Sequence, residues 1–316
     1  MNGDGSTADE AEAGDVAQRR RAGVLCVLGS AVAFAVAPIF GKVAYAHGVD
    51  SFALLALRFA SAAVIVWVLV LLRGPLVGLG LPPARTLVRV LALGALVLPG
   101  EVTLYFASLH DIGAGLAEVL LFLYPMWVVL ITAVVLHQPV TRLVAGCSAT
   151  AVAGAALTVG AVRGVDAVGV ALAVGASIGF ACYVVLSGRL VHGVGSLVTT
   201  ALITTGAAVT FTVAALITGA HGPTDVAGWA ATLGLSVVGT VVSFLLLTLG
   251  LARMPSTDAS VISTVEPAVA VLLGVVLLGE PIGFLQVVGV VVVLGSVAVL
   301  VRRETGEDVL DPAAGH

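Results

Sequence analysis

The sequence predicts an all-α integral membrane protein, with ten transmembrane helices arranged as two inverted five-helix repeats. Three observations carry this reading. Of 316 residues, 59 % are hydrophobic and only 10 % are charged, against about 25 % charged in an ordinary soluble domain. Mean hydropathy is +1.16, concentrated in long apolar runs between Ala22 and Val301. The arginine distribution and an internal repeat then agree on the helix count. A soluble enzyme, a secreted disulfide scaffold and a nucleic-acid binder are all excluded by this much apolar surface. Cys26, Cys147 and Cys182 lie inside apolar runs without metal-ligand spacing and read as small buried hydrophobes.

Residues 1–21 hold five acids and almost no large apolar side chain until Arg19, Arg20 and Arg21, which reads as a disordered cytoplasmic tail. A basic cluster before an apolar run also suits a signal peptide, and Ala33-Phe34-Ala35 mimics a cleavage site. The run continues past it to about Ala44, however, which is long enough to span. A span needs about 20 apolar residues. Cutting at charges, Gly and Pro gives 22–45, 51–72, 86–109, 113–136, 141–162, 168–190, 196–219, 226–250, 256–279 and 281–301. Spanning strands would be about half that length and alternating. Residues 302–316 form a second acidic tail.

With the N-terminus in the cytoplasm, Arg19, Arg20, Arg21, Arg73, Arg85, Arg89, Arg142, Arg189, Arg253, Arg302 and Arg303 all fall inside, and only Arg163 lies in an outer loop. That is a strong positive-inside bias. Merging any two helices would scramble it.

Ala117 and Pro125 recur as Ala259 and Pro267, at an offset of 259 − 117 = 142. Leu109 then meets Leu251, Gln138 meets Glu280 and Pro139 meets Pro281; Gly29 and Phe34 meet Gly175 and Phe180 at 146. The halves are 22–162 and 168–301. Five helices is an odd number, so the second copy sits upside down. Many membrane carriers share this plan, with the binding site near the midplane between the halves.

The stretches Leu104-Tyr105-Phe106-Ala107-Ser108-Leu109, Gly115-Leu116-Ala117 and Tyr124-Pro125 resemble the third and fourth helices of an EamA-type repeat. The second copy is closer: Leu251-Ala252-Arg253-Met254-Pro255-Ser256, Ala259-Ser260-Val261, Val265-Glu266-Pro267-Ala268 and Leu278-Gly279-Glu280. In order, spacing and duplication they resemble the ten-helix EamA family of the drug/metabolite transporter superfamily. The resemblance covers 22–302. It implies a bacterial inner-membrane carrier, often an exporter of amino acids or other small metabolites. Two departures stand out: Gln138 replaces the Glu that often ends such a repeat, and Arg58, which resembles a basic residue of the family's second helix, has its repeat mate near Ile203.

A charge within the hydrocarbon costs about 2.5–3.5 kcal/mol on insertion scales, so it normally faces a cavity or a partner. Glu266 lies near mid-membrane, and Pro267 removes the helical partner of the Ser263 carbonyl. A carboxyl, a free carbonyl and the Ser263 and Thr264 hydroxyls are therefore expected in one turn. Two roles stay open for Glu266: a site for a proton or a substrate amine, or a structural acid satisfied by a neighbouring helix or water. Tyr124-Pro125 is the inverted counterpart, with Pro125 freeing the Leu121 carbonyl. Arg58 and Glu101 fall at equal depth and suit a structural ion pair better than substrate contacts. Glu118 is a second acid that either faces the pathway or reaches toward water. Lys42, near the outer end of the first span, suits snorkelling, with an anion contact as the other reading. Pro38 and Pro99 are expected to bend their helices. Small residues such as Gly146, Gly154, Gly289 and Gly295 suit close helix packing, including a homodimer. His110-Asp111 reads as a solvated outer-loop pair.

HExxH, GxSxG, Walker-type glycine loops and paired cysteines are absent. The expectation is thus a carrier and not an enzyme, with no cofactor or metal and no nucleic-acid partner. Its partners are a small-molecule substrate, protons and the lipid bilayer. Lipid translocation on the same fold is the alternative.

Overall fold

The computed structural model describes residues 4–77, 82–108, 111–112, 117, 120–159, 166–278 and 283–310, with no strand among them. The helices are α1 Asp4–Ala46, α2 Ser51–Val77, α3 Ala84–Ser108, α4 Tyr124–Val135, α5 Arg142–Val159, α6 Ala167–Val194, α7 Ser196–Thr218, α8 Val226–Leu251, α9 Ser256–Ser263, α10 Val265–Leu278 and α11 Phe284–Leu310. Six of them (α1, α2, α3, α6, α7 and α8) contain a stretch long and apolar enough to cross a bilayer; α4, α5 and α11 carry shorter apolar segments. Large apolar side chains such as Leu25, Leu71, Leu96, Val135, Leu216 and Ile217 remain on the outside, as expected of helices solvated by lipid.

Three findings depart from the sequence reading. Residues 4–21 continue α1 instead of forming an unstructured tail. Their Ala, Glu and Arg content has high helix propensity, and Arg20 is tied to the bundle. Likewise α11 runs to Leu310, through much of the expected C-terminal tail. The expected span 256–279 is two helices, interrupted at Thr264. Each is too short to cross alone.

Long-range packing pairs α2 with α7, α5 with α11, α3 with α6, and α1 with α8. Aromatic rings from six elements meet in the interior. Phe59 stacks on Phe211 at 5.5 Å, and Phe244 touches Phe34, Phe59 and Tyr183 edge-on at 5.3, 6.2 and 5.8 Å. Tyr183 stacks on Phe180, which meets Tyr124 edge-on at 4.8 Å. Such pairs add about 0.5–1.5 kcal/mol each beyond burial.

At one end of the bundle the α1–α2 and α7–α8 turns are cross-linked by two His–Asp contacts. His47 Nδ1 lies 2.6 Å from Asp225 Oδ2, and His221 donates its backbone N–H to Asp50 Oδ2 at 2.7 Å. The Asp225 carboxylate also caps α8 through the Gly228 N–H. Both acids are held below the usual carboxylate range: Asp50 by the His221 N–H and then its ring, Asp225 by the Gly228 N–H and then His47.

At the opposite end, Arg20 donates to Asp258 Oδ2 at 2.9 Å. The Asp258 side chain is only 7 % exposed and that of Arg20 30 %. Removing Arg20 therefore strands a buried carboxylate. Arg20→Ala is expected to destabilise by about 1–3 kcal/mol, below the range of a fully buried pair because Arg20 is partly solvated. Arg20→Ala with Asp258→Ala should recover part of that loss in a double-mutant cycle of melting temperatures. Strictly additive losses would show that the pair contributes nothing.

Candidate functional site

The site grows from three interruptions of regular helix. In α8 the segment Val237–Val242 is π-helical, and the Ser243 N–H reaches the carbonyls of Val238 and Thr240. The Gly239 carbonyl is thereby passed over. Arg58 of α2 takes it, with Nη2 donating to Gly239 O at 2.7 Å and Nε to Thr240 Oγ1 at 2.5 Å. Its guanidinium also lies 5.1 Å from the centre of the Phe59 ring. Arg58 thus answers a backbone group that the π-turn exposes. Glu101 acts on it as a Coulombic neighbour, while the direct contacts go to α8 and not to the expected acid.

In α3 the same irregularity recurs at Leu93–Val97. Pro99 follows and cannot donate to the Ala95 carbonyl; Thr210 Oγ1 of α7 donates to it at 2.7 Å. Glu101, 7 % exposed, comes next. Gly179 of α6 lets that helix close on it, since a Cβ at 179 would sit 3.0 Å from the Glu101 Cβ. A 450 Å³ cavity lined by Phe52, Leu55, Val102, Thr103 and Phe211 opens beside this turn.

The third interruption occurs twice. Helical structure breaks at Phe122-Leu123 before α4, and at Thr264 before α10. Pro125 and Pro267 sit in the first turns of the restarted helices, where a missing N–H is harmless. They start helices instead of bending continuous ones. Pro38, by contrast, lies inside an uninterrupted α1. Tyr124 opens α4 and Glu266 opens the first turn of α10, and 266 − 124 = 142, the repeat offset. Tyr124 is 2 % exposed and its hydroxyl donates to the Ser260 carbonyl at 3.3 Å. Its electrostatic neighbours include Glu266, and Ser263 lies alongside. The Ser263 and Thr264 hydroxyls do not gather round the carboxyl as expected: they bond back to the Ala259 and Val261 carbonyls at 2.9 and 2.6 Å, the usual helical alternative for a short hydroxyl. Glu266 itself is half-buried.

Lys42 is exposed on α1. Glu118 lies outside the described residues. The sequence reading missed Asp258, Tyr183 and the Gly239–Thr240 turn. Asp258 was visible as an acid inside an apolar run one residue before Ala259. A π-turn has no comparable signature in Val237–Val242. Cys147 is buried, whereas Cys26 and Cys182 are only partly so.

The EamA-like transporter family model matches residues 21–160 and again residues 167–302. The chain is similar to the uncharacterized transporter YcbK of Bacillus subtilis (strain 168), at 27 % identity over 283 residues, 85 % of this chain and 89 % of that one. A chain of known crystal structure shares the fold with a TM-score of 0.74 at 20 % identity, over 88 % of this chain and 96 % of its own.

Proposed function

The chain belongs to the EamA-like transporter family, and from that premise we propose a proton-coupled exporter of amino acids or related small metabolites in a bacterial inner membrane. The family makes it a multi-pass membrane protein that moves small molecules; the rest is our reading. Ten helices form two inverted five-helix halves, 22–162 and 168–301, with both termini in the cytoplasm. The double match of one family model supports this, and so does the packing. The partners α1 with α8 and α6 with α3 are one pairing seen from each half.

The observation that carries the proposal is that Tyr124 and Glu266 are electrostatic neighbours. These repeat mates stand at equivalent breaks in two helices, on opposite sides of one interface. Discontinuous helices near the midplane are where carriers bind substrate and coupling ion. Glu266 takes either a proton or the substrate's positive group, not both. Arg58 braces the α8 turn, Glu101 supplies the neighbouring negative charge, and the halves rock about the region where Tyr124 and Glu266 are electrostatic neighbours. Lys42 and Glu118 are the remaining candidates along the outer path.

The test uses everted vesicles with an acid lumen and a pH-sensitive dye. Amino acids, amines, sugars, nucleosides and cationic drugs are added in turn. One class should dissipate the gradient only in vesicles that contain the protein. If none does, proton-coupled export of these classes fails. Lipid translocation then leads, for which one feature speaks. A 390 Å³ apolar cavity lined by Leu123, Met126, Trp127, Leu130, Ala145 and Ser148 holds two buried polar atoms without a partner, Trp127 Nε1 and Ser148 Oγ.

A further inference from the structure

A third cavity lies toward the end of the bundle that carries Arg20 and Asp258. It has a volume of 200 Å³ and is bounded by α4, α6, the end of α8 and the start of α9. Both halves of the chain contribute, with Thr132 and Gln138 on one side and Arg189, His192, Ser256 and Thr257 on the other. Gly188 makes the closure possible, because a Cβ there would run into Ser256 Oγ.

The lining has a consistent chemistry. Arg189 is a cation that nothing pairs with among the described residues. His192 donates its Nδ1–H to the Gly188 carbonyl at 2.7 Å, so in the neutral ring Nε2 is an acceptor and adds no donor to the wall. Gln138 adds an amide, and Thr132 and Ser256 add hydroxyls, while the Thr257 hydroxyl donates to Asp258 Oδ1 at 3.2 Å. The acid closest in sequence, Asp258, is not part of the lining and is held by Arg20. The rest of the wall is apolar: Leu136, Val185, Leu251, Met254 and Pro255. A cation near the end of α6 is also favoured by the helix dipole. The dipole does not account for donors converging from the opposite half, or for a wall without an acid.

We propose that this cavity is the cytoplasmic loading site for a small carboxylate with a short aliphatic body. It rests on the carrier reading above and names the group which that carrier recognises first. Arg189 supplies the charge-assisted bonds that a carboxylate accepts. The apolar wall covers the body. At 200 Å³, about seven water volumes, the space excludes large amphiphiles. The wall has no carboxylate for an ammonium, so the anionic end carries the recognition.

Binding is measured on the purified full chain by calorimetry and thermal shift, in discs of neutral lipid. Isovalerate is the probe, isopentylamine has the same body with the opposite charge, and inorganic phosphate represents an oxyanion without a body. Isovalerate should bind and raise the melting temperature, with the amine inert and phosphate weaker. Arg189→Gln should weaken isovalerate by roughly tenfold or more, the scale of one charge-assisted bond. Gln138→Leu, an exposed change on the other half, should weaken it by less. Equal binding of the amine would overturn the proposal, as would unchanged affinity in Arg189→Gln, which would make that residue a topology-setting charge only. Tighter binding of phosphate, or displacement of isovalerate by anionic lipid in the discs, would assign the site to a headgroup and also overturn it. The readout needs no flux. Loss of binding with intact vesicle exchange removes the cavity and keeps the carrier. Binding without exchange does the reverse.

Discussion

Glu266→Gln is expected to reduce proton-driven exchange to the background of empty vesicles while leaving a folded, binding-competent protein. The amide keeps the shape of the carboxyl and its place in the first turn of α10. What it loses is the proton. A carrier that alternates a proton and a substrate on one group stops when that group no longer titrates. Fold should be little affected, because the helix break at Thr264 and the start at Pro267 depend on backbone and proline geometry and not on the acid. Dye quenching in everted vesicles reads the flux, and melting temperature and expression read the fold. Tyr124→Phe serves as the contrasting variant. It removes the hydroxyl that donates to Ser260 but leaves the Glu266 carboxyl in place, so it should slow exchange but keep the coupling. Wild-type coupling in Glu266→Gln would take the acid out of the mechanism and leave it a structural role.

What the sequence made legible, and what it did not, follows from the range of each interaction. Apolar runs, arginine bias and the 142-residue offset are one-dimensional signals, so the helical class and the duplication could be read directly. Glu266 and Tyr124 could be singled out because a proline beside a polar residue in an apolar run is visible locally. Their electrostatic proximity was not visible, since it depends on how two broken helices cross. The misassigned partner of Arg58 shows the limit most clearly. Equal depth suggested Glu101, but depth is a single coordinate. The structure satisfies the guanidinium with a carbonyl freed by a π-turn, and that carbonyl exists only because the Ser243 N–H steps back to Val238. Glycine contacts are equally beyond a one-dimensional reading. Gly146 and Gly295 face no neighbour within the chain, since a Cβ at either would meet nothing within 4 Å. Gly154 does pack closely, against Val292 and Val293 of α11.

The tightest approach is at Gly94, and Gly94→Leu is expected to abolish the folded monomer. A Cβ at 94 would lie 2.6 Å from the Ile203 Cα and closer still to its carbonyl oxygen. Across the same interface a Cβ at Gly206 would lie 2.5 Å from the Leu91 carbonyl oxygen. Backbone meets backbone here, so no side-chain rotation can relieve the overlap, and α3 must move off α7. Overpacking a core typically costs about 1–3 kcal/mol where neighbours can yield; here they cannot, so the loss should exceed that range. The position also has a functional logic. With 239 − 94 = 145 and 203 − 58 = 145, Gly94 against Ile203 is the repeat-related copy of Gly239 against Arg58. One half closes the contact with bare backbone, and the other inserts a guanidinium into it. The rigid copy holds the α3 turn that leads to Pro99 and Glu101, and the charged copy holds the α8 turn. Size-exclusion profiles of Gly94→Leu and Gly146→Leu test this directly: the first should lose the monodisperse peak and the second should keep it. A monodisperse Gly94→Leu with the wild-type melting temperature would show that the α3–α7 approach is not what positions the turn, and the symmetry between the two contacts would then carry no structural weight.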